Sequence, residues 1–337
     1  MPHFVTIKDI ARELNISVST VSRAMRDTYD VSKETRDKVL AMAAKLHYKP
    51  NFNATGLAKG STHNIGILLP RVTNYYFSTA ITGIQQVALE KGYHIILYLT
   101  DDSPERELDI LHNLSLTSVD GLLVSTSSAA ETSAHFQEVI KEGVPVVFFD
   151  RVATNIYTSK VMQDDFNGAF ATVEHLIEQG YRKIAHVSGP VGLAMSAQRL
   201  RGYFAALEKH QLPIREEWVL FSGFSQEEGE QDAERLLALP ERPDAIFAAN
   251  DRKAIGCMLT LKKHGIAIGP EIGVAGFTGD PVSKLITPTL TTMAEPAFEI
   301  GRKSCELLLK HIGKKNFIPE EITLPGTLFI GDSTKRG

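Results

Sequence analysis

Apolar side chains in the first fifty residues recur at helical intervals. Ile7, Ile10, Ala11 and Leu14 fall three and four apart. They follow Thr6, a residue suited to cap a helix, with Asp9 three positions on as the acid of a short capping box. Asn15 interrupts, Ile16 continues the apolar set, and Ser17 can cap a second helix carrying Val18, Val21 and Ala24. A third helix begins at Ser32, has Glu34 in its first turn, and sets Val39, Leu40, Met42, Ala43 and Leu46 against the other two. The pattern predicts three short helices around one small core, with a tight turn between the first and second.

From Ile65 the period changes. Short apolar runs (IGILLP, HIILYL, DGLLVS, PVVFFD, KIAHVSG, AIFAAND and IGVAGF) alternate with amphipathic stretches near 78–91, 104–116, 132–142, 166–179, 196–210, 226–238, 252–264 and 296–311. This alternation predicts βαβ units in two doubly wound lobes, with a ligand crevice beyond the carboxyl ends of the parallel strands. Between head and lobes, residues 51–60 allow a helical turn, but Gly56 inside it costs about 1 kcal/mol, so this piece is unstable alone. The expected organisation is a helical head over residues 1–50, a hinge over 51–62 and a two-lobed α/β domain over 63–337.

Charge sharpens the division. Residues 1–62 hold ten Lys/Arg against six Asp/Glu, a balance of +4, whereas the remainder carries −8. Only the small helical part favours a polyanion. The second helix would present Ser19, Thr20, Ser22, Arg23 and Arg26 outward, which supplies hydroxyls and guanidinium groups for phosphates and base edges. That set suits the recognition helix of a helix-turn-helix, although a small protein-docking bundle would show the same pattern.

No apolar run approaches the roughly 18 residues needed to cross a bilayer, and the start MPHF lacks a basic-then-apolar leader, so a cytoplasmic protein with no membrane partner is expected. The two cysteines, Cys257 and Cys305, read as reduced packing residues. No phosphate loop, dinucleotide fingerprint or nucleophile elbow occurs, and the eleven histidines include no pair within four residues. Neither a metal, a cofactor nor an enzymatic reaction is expected.

The polar residues that end the apolar runs are more informative. Asp150 follows VVFF, Ser188 follows IAHV, Asn250 and Asp251 follow AIFAA, and Thr278 follows VAGF. Each alone is an ordinary helix cap, but their recurrence at equivalent chain positions points to a shared site.

The run VTIKDIARELNISVSTVSRAM, followed by VSKETRDKVLAMAAKLHYKPN, resembles the DNA-binding head of the lactose-repressor/galactose-repressor family of bacterial regulators. That resemblance implies that Val18 and Ser19 read bases in the major groove with Arg23, that Thr6, Ser17 and Ser32 hold phosphates, and that Leu57 wedges into the minor groove from a hinge helix ordered only on DNA. Tyr29 stands where some members carry a basic residue, and Thr55 and Gly56 replace residues that are commonly larger.

Segments NYYFS, GVPVVFFDR, QDDFNGA, RKIAHVSGP, QRLRGYFAAL, AIFAANDRKAIG, VAGF and TPTLTTM extend the resemblance to the family's effector domain, itself similar to periplasmic sugar-binding proteins. By that pattern Tyr76 and Phe77 present aromatic faces, Asp150 and Asp164 line the cleft, Arg199 reaches across it, and Phe224 and Asn250 complete the far wall. The set suits a sugar, and a nucleobase could also stack there. After VAGF many members place an Asp, whereas here Thr278 brings a hydroxyl without charge, and Asp280 can substitute only if its loop curls inward.

The resemblance implies a homodimer, with a tetramer left open, bound to a pseudo-palindromic operator in double-stranded DNA and controlled by a small-molecule effector. A sugar-binding transport component or a sugar-processing enzyme on the same fold are the alternatives. The attached head opposes the first, and the missing chemistry opposes the second.

Overall fold

A computed structural model describes residues 5–25, 30–48, 61–114, 118–127, 134–314 and 316–336. The chain divides into two compact units, Met1–Thr62 and His63–Gly337. In the first, α1 (Ile7–Leu14), α2 (Val18–Met25) and α3 (Lys33–Lys45) pack together. Ile10, Ala11, Val21, Ala24, Val39 and Ala43 are their shared buried core. Asn15 ends α1 in the left-handed region at φ 53°, a conformation its short polar side chain tolerates, and this turns the chain into α2. One expectation fails. Leu40 is 43% exposed, because the small core is already closed by Val21 and Val39.

The second unit holds two six-stranded sheets. The first lobe runs β1 (Asn64–Leu69), α4 (Tyr75–Glu90), β2 (His94–Leu99), α5 (Pro104–Asn113), β3 (Gly121–Val124), α6 (Ala134–Lys141), β4 (Val146–Phe149) and β5 (Lys160–Gln163). The chain then crosses into α7 (Asp165–Glu178), β6 (Ile184–Ser188), α8 (Ala194–Lys209), β7 (Val219–Phe221), α9 (Gln226–Leu237), β8 (Ala245–Ala248), α10 (Asp251–Lys263), β9 (Gly273–Thr278) and β10 (Thr291–Ala294). It returns through α11 (Ala297–His311) to β11 (Glu321–Leu324) and crosses a third time into β12 (Thr327–Phe329).

The first sheet has the order β11-β5-β4-β3-β1-β2 and is parallel throughout, and the second has the order β12-β10-β9-β8-β6-β7. Among the described residues only β12 runs antiparallel, against β10. Strands such as β3, β4 and β8 are buried along their whole length, as expected when helices cover both faces of a sheet.

Two glycines let α4 and α11 touch backbone to backbone. A Cβ on Gly83 would overlap the carbonyl oxygen of Phe298, and one on Gly301 would overlap that of Ala80. Both cysteines are buried, and burial pushes each thiol up to about 12, which suits packing rather than reaction. Among the described residues no helix is long and apolar enough to cross a membrane.

Candidate functional site

The exposed face of the head is organised by hydroxyls. Ser17 Oγ accepts the Thr20 amide at 3.0 Å, capping α2, and lies 2.7 Å from the hydroxyls of both Ser19 and Thr20. Arg23 extends back along α2, its Nε donating to the Ser19 carbonyl at 3.3 Å. Val18 and Ser19 therefore stand at the exposed N-terminal end of the helix with Arg23 one turn behind. Thr6 gives its amide and hydroxyl to the Asp9 carboxylate, at 2.9 and 2.8 Å, and Ser32 accepts the Thr35 amide at the start of α3. Leu57 lies outside the described residues, as do Tyr29, Thr55 and Gly56.

In the larger unit, strand ends and helix starts converge on a cleft between the lobes. Tyr76 and Phe77 open α4 behind the Asn74 cap, whose Oδ1 accepts the Phe77 amide at 2.9 Å. Their rings meet edge to face at 5.4 Å. Asp150 leaves β4 with φ 60°, a left-handed backbone that turns its carboxylate toward the cleft, where Ser125 Oγ donates to it at 3.1 Å. From the other lobe, Asn250 caps α10 through the Lys253 amide at 2.8 Å and donates to the Phe224 carbonyl at 3.1 Å, so one amide sets both the helix start and the opposing aromatic.

Arg199 lies at the centre. On α8 and 2% exposed, it donates from Nε to Asp165 at 2.8 Å, from Nη1 to the Ala249 carbonyl at 2.6 Å and from Nη2 to Glu295 at 2.7 Å. Its guanidinium also lies 3.7 Å over the Phe277 ring. A buried guanidinium is tolerable only with such partners. Asp165 begins α7 and Glu295 follows β10, so both partners belong to segments where the chain passes from lobe to lobe.

Burial raises the surrounding carboxyls, with Arg199 opposing: Asp165 to about 6 and Glu295 to about 8, while Asp150 also rises. Asp251 rises to about 7 through burial, although Thr292 Oγ1 and the Asp280 amide donate to it at 2.6 and 2.7 Å. That amide bond curls the loop after β9 inward, and Asp280 joins the cleft wall. Thr278 reaches the cleft at φ 132°, a strained backbone for a residue with a Cβ.

Two contacts span the lobes at the rim. Arg252 Nη2 donates to the Thr73 carbonyl at 2.8 Å, and the Arg151 guanidinium, held by Asp102, lies 5.2 Å over the Phe224 ring.

Tyr76, Phe77, Asp150, Arg199, Phe224, Asn250 and Thr278 all line this one cleft. Asp164 does not. It caps α7, taking the amide and side chain of Asn167, and faces a neighbouring chamber that shares Asp150 and Met195 with the cleft. The adjacent Asp165 is the one that meets Arg199. Sequence reasoning missed Glu295 and Asp165. Asp251, grouped by its place after a strand with the residues of a shared site, does line the cleft. The signal available for Asp165 was its place in the acidic pair before α7; Glu295 had none, because its role is set by an arginine 96 positions away.

A helix-turn-helix head followed by a two-lobed domain with a polar, aromatic-walled cleft defines a DNA-binding regulator controlled by a small molecule. The comparisons agree. Residues 6–51 match the model for bacterial regulatory proteins of the lacI family, and residues 173–334 match a periplasmic binding protein-like domain. Catabolite control protein A of Priestia megaterium is 32% identical over 98% of this chain and 99% of its own.

Among solved structures, the lac repressor dimer bound to operator and the anti-inducer ONPF superposes with a TM-score of 0.86, at 26% identity over 98% of this chain and 99% of the other. A lacI-family regulator from Enterococcus faecium with bound ribose gives 0.70, at 30% identity over 80% and 98%. The chain belongs to the lacI family of transcription regulators.

Proposed function

We propose that the protein is a transcriptional repressor that binds a pseudo-palindromic operator as a homodimer and is controlled by a carbohydrate bound between the lobes. In this reading α2 enters the major groove, Val18, Ser19 and Arg23 meet base edges, and Thr6, Ser17 and Ser32 hold phosphates. The exposure of Val18 supports it, since an apolar side chain left out of the core is available to a thymine methyl. Leu57 supplies the minor-groove wedge. The dimer follows the assembly of the lac repressor on its operator, and the protein works where its DNA is, in the cytoplasm.

One observation carries the effector half of this reading. Arg199 ties together, through Asp165 and Glu295, two of the three segments that join the lobes. A ligand that changes this network changes the relative stability of two lobe arrangements, which is what control requires. The rings of Tyr76, Phe77 and Phe224 suit the C–H faces of a sugar. The Enterococcus faecium relative holds ribose.

The test is an electrophoretic shift on palindromic DNA across a salt series, with a monosaccharide panel added. Specific binding that weakens steeply with salt and responds to one sugar is the expected result. Turnover of a sugar without specific DNA binding would overturn the reading.

A further inference from the structure

The effector cleft gathers more carboxyl groups than it has cations to pair with them. Asp150, Asp251, Asp280 and Glu295 face it, and Asp165 stands behind Arg199. The cations nearby are already engaged: Arg199 through three of its nitrogens, Arg151 with Asp102, and Arg252 at the exposed rim with the Thr73 carbonyl. Glu295 gives Oε1 to Arg199, and Asp150 accepts the Ser125 hydroxyl on Oδ2.

A second observation concerns a buried hydroxyl. Tyr76 is 4% exposed and lines the same cleft, and its hydroxyl lies beside the Asp150 carboxylate without completing a well-formed hydrogen bond, so its oxygen has no donor to accept from. A buried hydroxyl without a partner is costly and is normally satisfied by something in its cavity. The inner cleft thus offers carboxylate oxygens and a phenolic oxygen to a ligand that donates. An ammonium group brings three donors and one positive charge. A neutral hydroxyl brings one donor and no charge, and a carboxylate or phosphate would add repulsion.

We propose that the effector is an amino sugar whose ammonium group is bound by Asp150, Glu295 and Tyr76, with its ring against Phe77 and Phe224. The proposal rests on the reading of this cleft as the carbohydrate site. It also explains why so many carboxyls share one arginine: the ligand completes the charge balance and, by favouring their ionised forms, expels protons as it binds.

The experiment is isothermal titration of the full chain at pH 7 with glucosamine, galactosamine and mannosamine, each beside its parent hexose, its N-acetyl derivative and the matching hexuronate. One amino sugar is expected to bind about tenfold or more tightly than its three counterparts. Its measured heat should vary with the ionisation enthalpy of the buffer, in the sense of proton release. Asp150→Asn and Glu295→Gln, both isosteric, should each abolish the preference for the amine.

A hexose, N-acetyl sugar or hexuronate that binds as well as the amine overturns the proposal and leaves the carbohydrate reading intact. An amine preference that survives both substitutions overturns the placement. Binding by no member of the panel overturns both the proposal and the carbohydrate reading.

Discussion

Arg199 Nη2 lies 2.7 Å from Glu295 Oε1, and this ion pair joins α8 of the second lobe to the segment that carries the chain back into the first. The same guanidinium holds Asp165 at the outward crossing. Removing it by Arg199→Ala leaves two buried carboxyls without their cation. The expected loss of stability is about 3–5 kcal/mol, reduced to the extent that the carboxyls take up protons. Arg199→Lys should restore only part of this, because one ammonium cannot point along all three bonds. Urea unfolding of the three proteins decides it, and a loss below 1 kcal/mol for the alanine variant would mean that the pair is not stabilising.

The raised carboxyls give stability a pH slope of unusual sign. Asp251 at about 7 and Glu295 at about 8 bind protons more tightly in the folded chain than in the unfolded one. Their contribution is fully present below the unfolded carboxyl range and is lost as pH rises through these values. His186 has the opposite sense. Burial lowers it to about 3, so it opposes folding as pH falls below its ordinary value. The carboxyl effect is therefore cleanest between pH 7 and 8.5, where the urea midpoint should fall. Glu295→Gln should flatten that fall, and an equal slope in the variant would remove Glu295 as its source.

Leu57→Ala should weaken specific operator binding far more than binding to random duplex, because a wedge is lost while phosphate contacts remain. Arg23→Ala should cost about 1–3 kcal/mol and relax the sequence preference at the position it reads. Binding measured on operator and random DNA separates the two outcomes, and equal losses on both DNAs would contradict these roles.

The rim bond from Arg252 to the Thr73 carbonyl must break whenever the lobes part. Arg252→Ala is therefore expected to raise both the association and dissociation rates of the effector, with a smaller change in their ratio. Stopped-flow measurements with the effector show this directly, and unchanged rates would mean that the bond does not restrain opening.

Gly301→Ala places a methyl group where the Ala80 carbonyl sits, between α4 and α11. Both contacts involve backbone, so the helices must separate, and a cost of about 1–3 kcal/mol is expected. Thermal unfolding at matched concentration measures it. A variant as stable as the parent would show that the helix pair has slack.

Much of this architecture was legible because its signals are local. Tyr76, Phe77, Asp150, Asn250 and Thr278 end a strand or open a helix, positions that periodicity locates well. The short strands β5, β10, β11 and β12 gave no such signal: β11 alternates over four residues, and β5 and β10 mix Lys, Gln and Thr into their apolar pattern. Asp164 and Asp165 look alike in sequence, yet one caps a helix at the surface and the other is buried on Arg199. That distinction comes from which side of the first turn of α7 faces Arg199 on α8. Leu40 followed the helical period but stayed exposed, because three short helices enclose too little volume to bury every apolar position offered.

The three crossings between lobes bear on how the gene can be shortened. Neither lobe is a continuous stretch of sequence, so no single stop codon yields one of them intact. The last seventeen residues contain β11 and β12, one edge strand for each sheet, and a nonsense mutation just before residue 321 would strip an edge from both lobes at once. Loss of the chain from residue 321 onward is therefore shared by both halves of the domain.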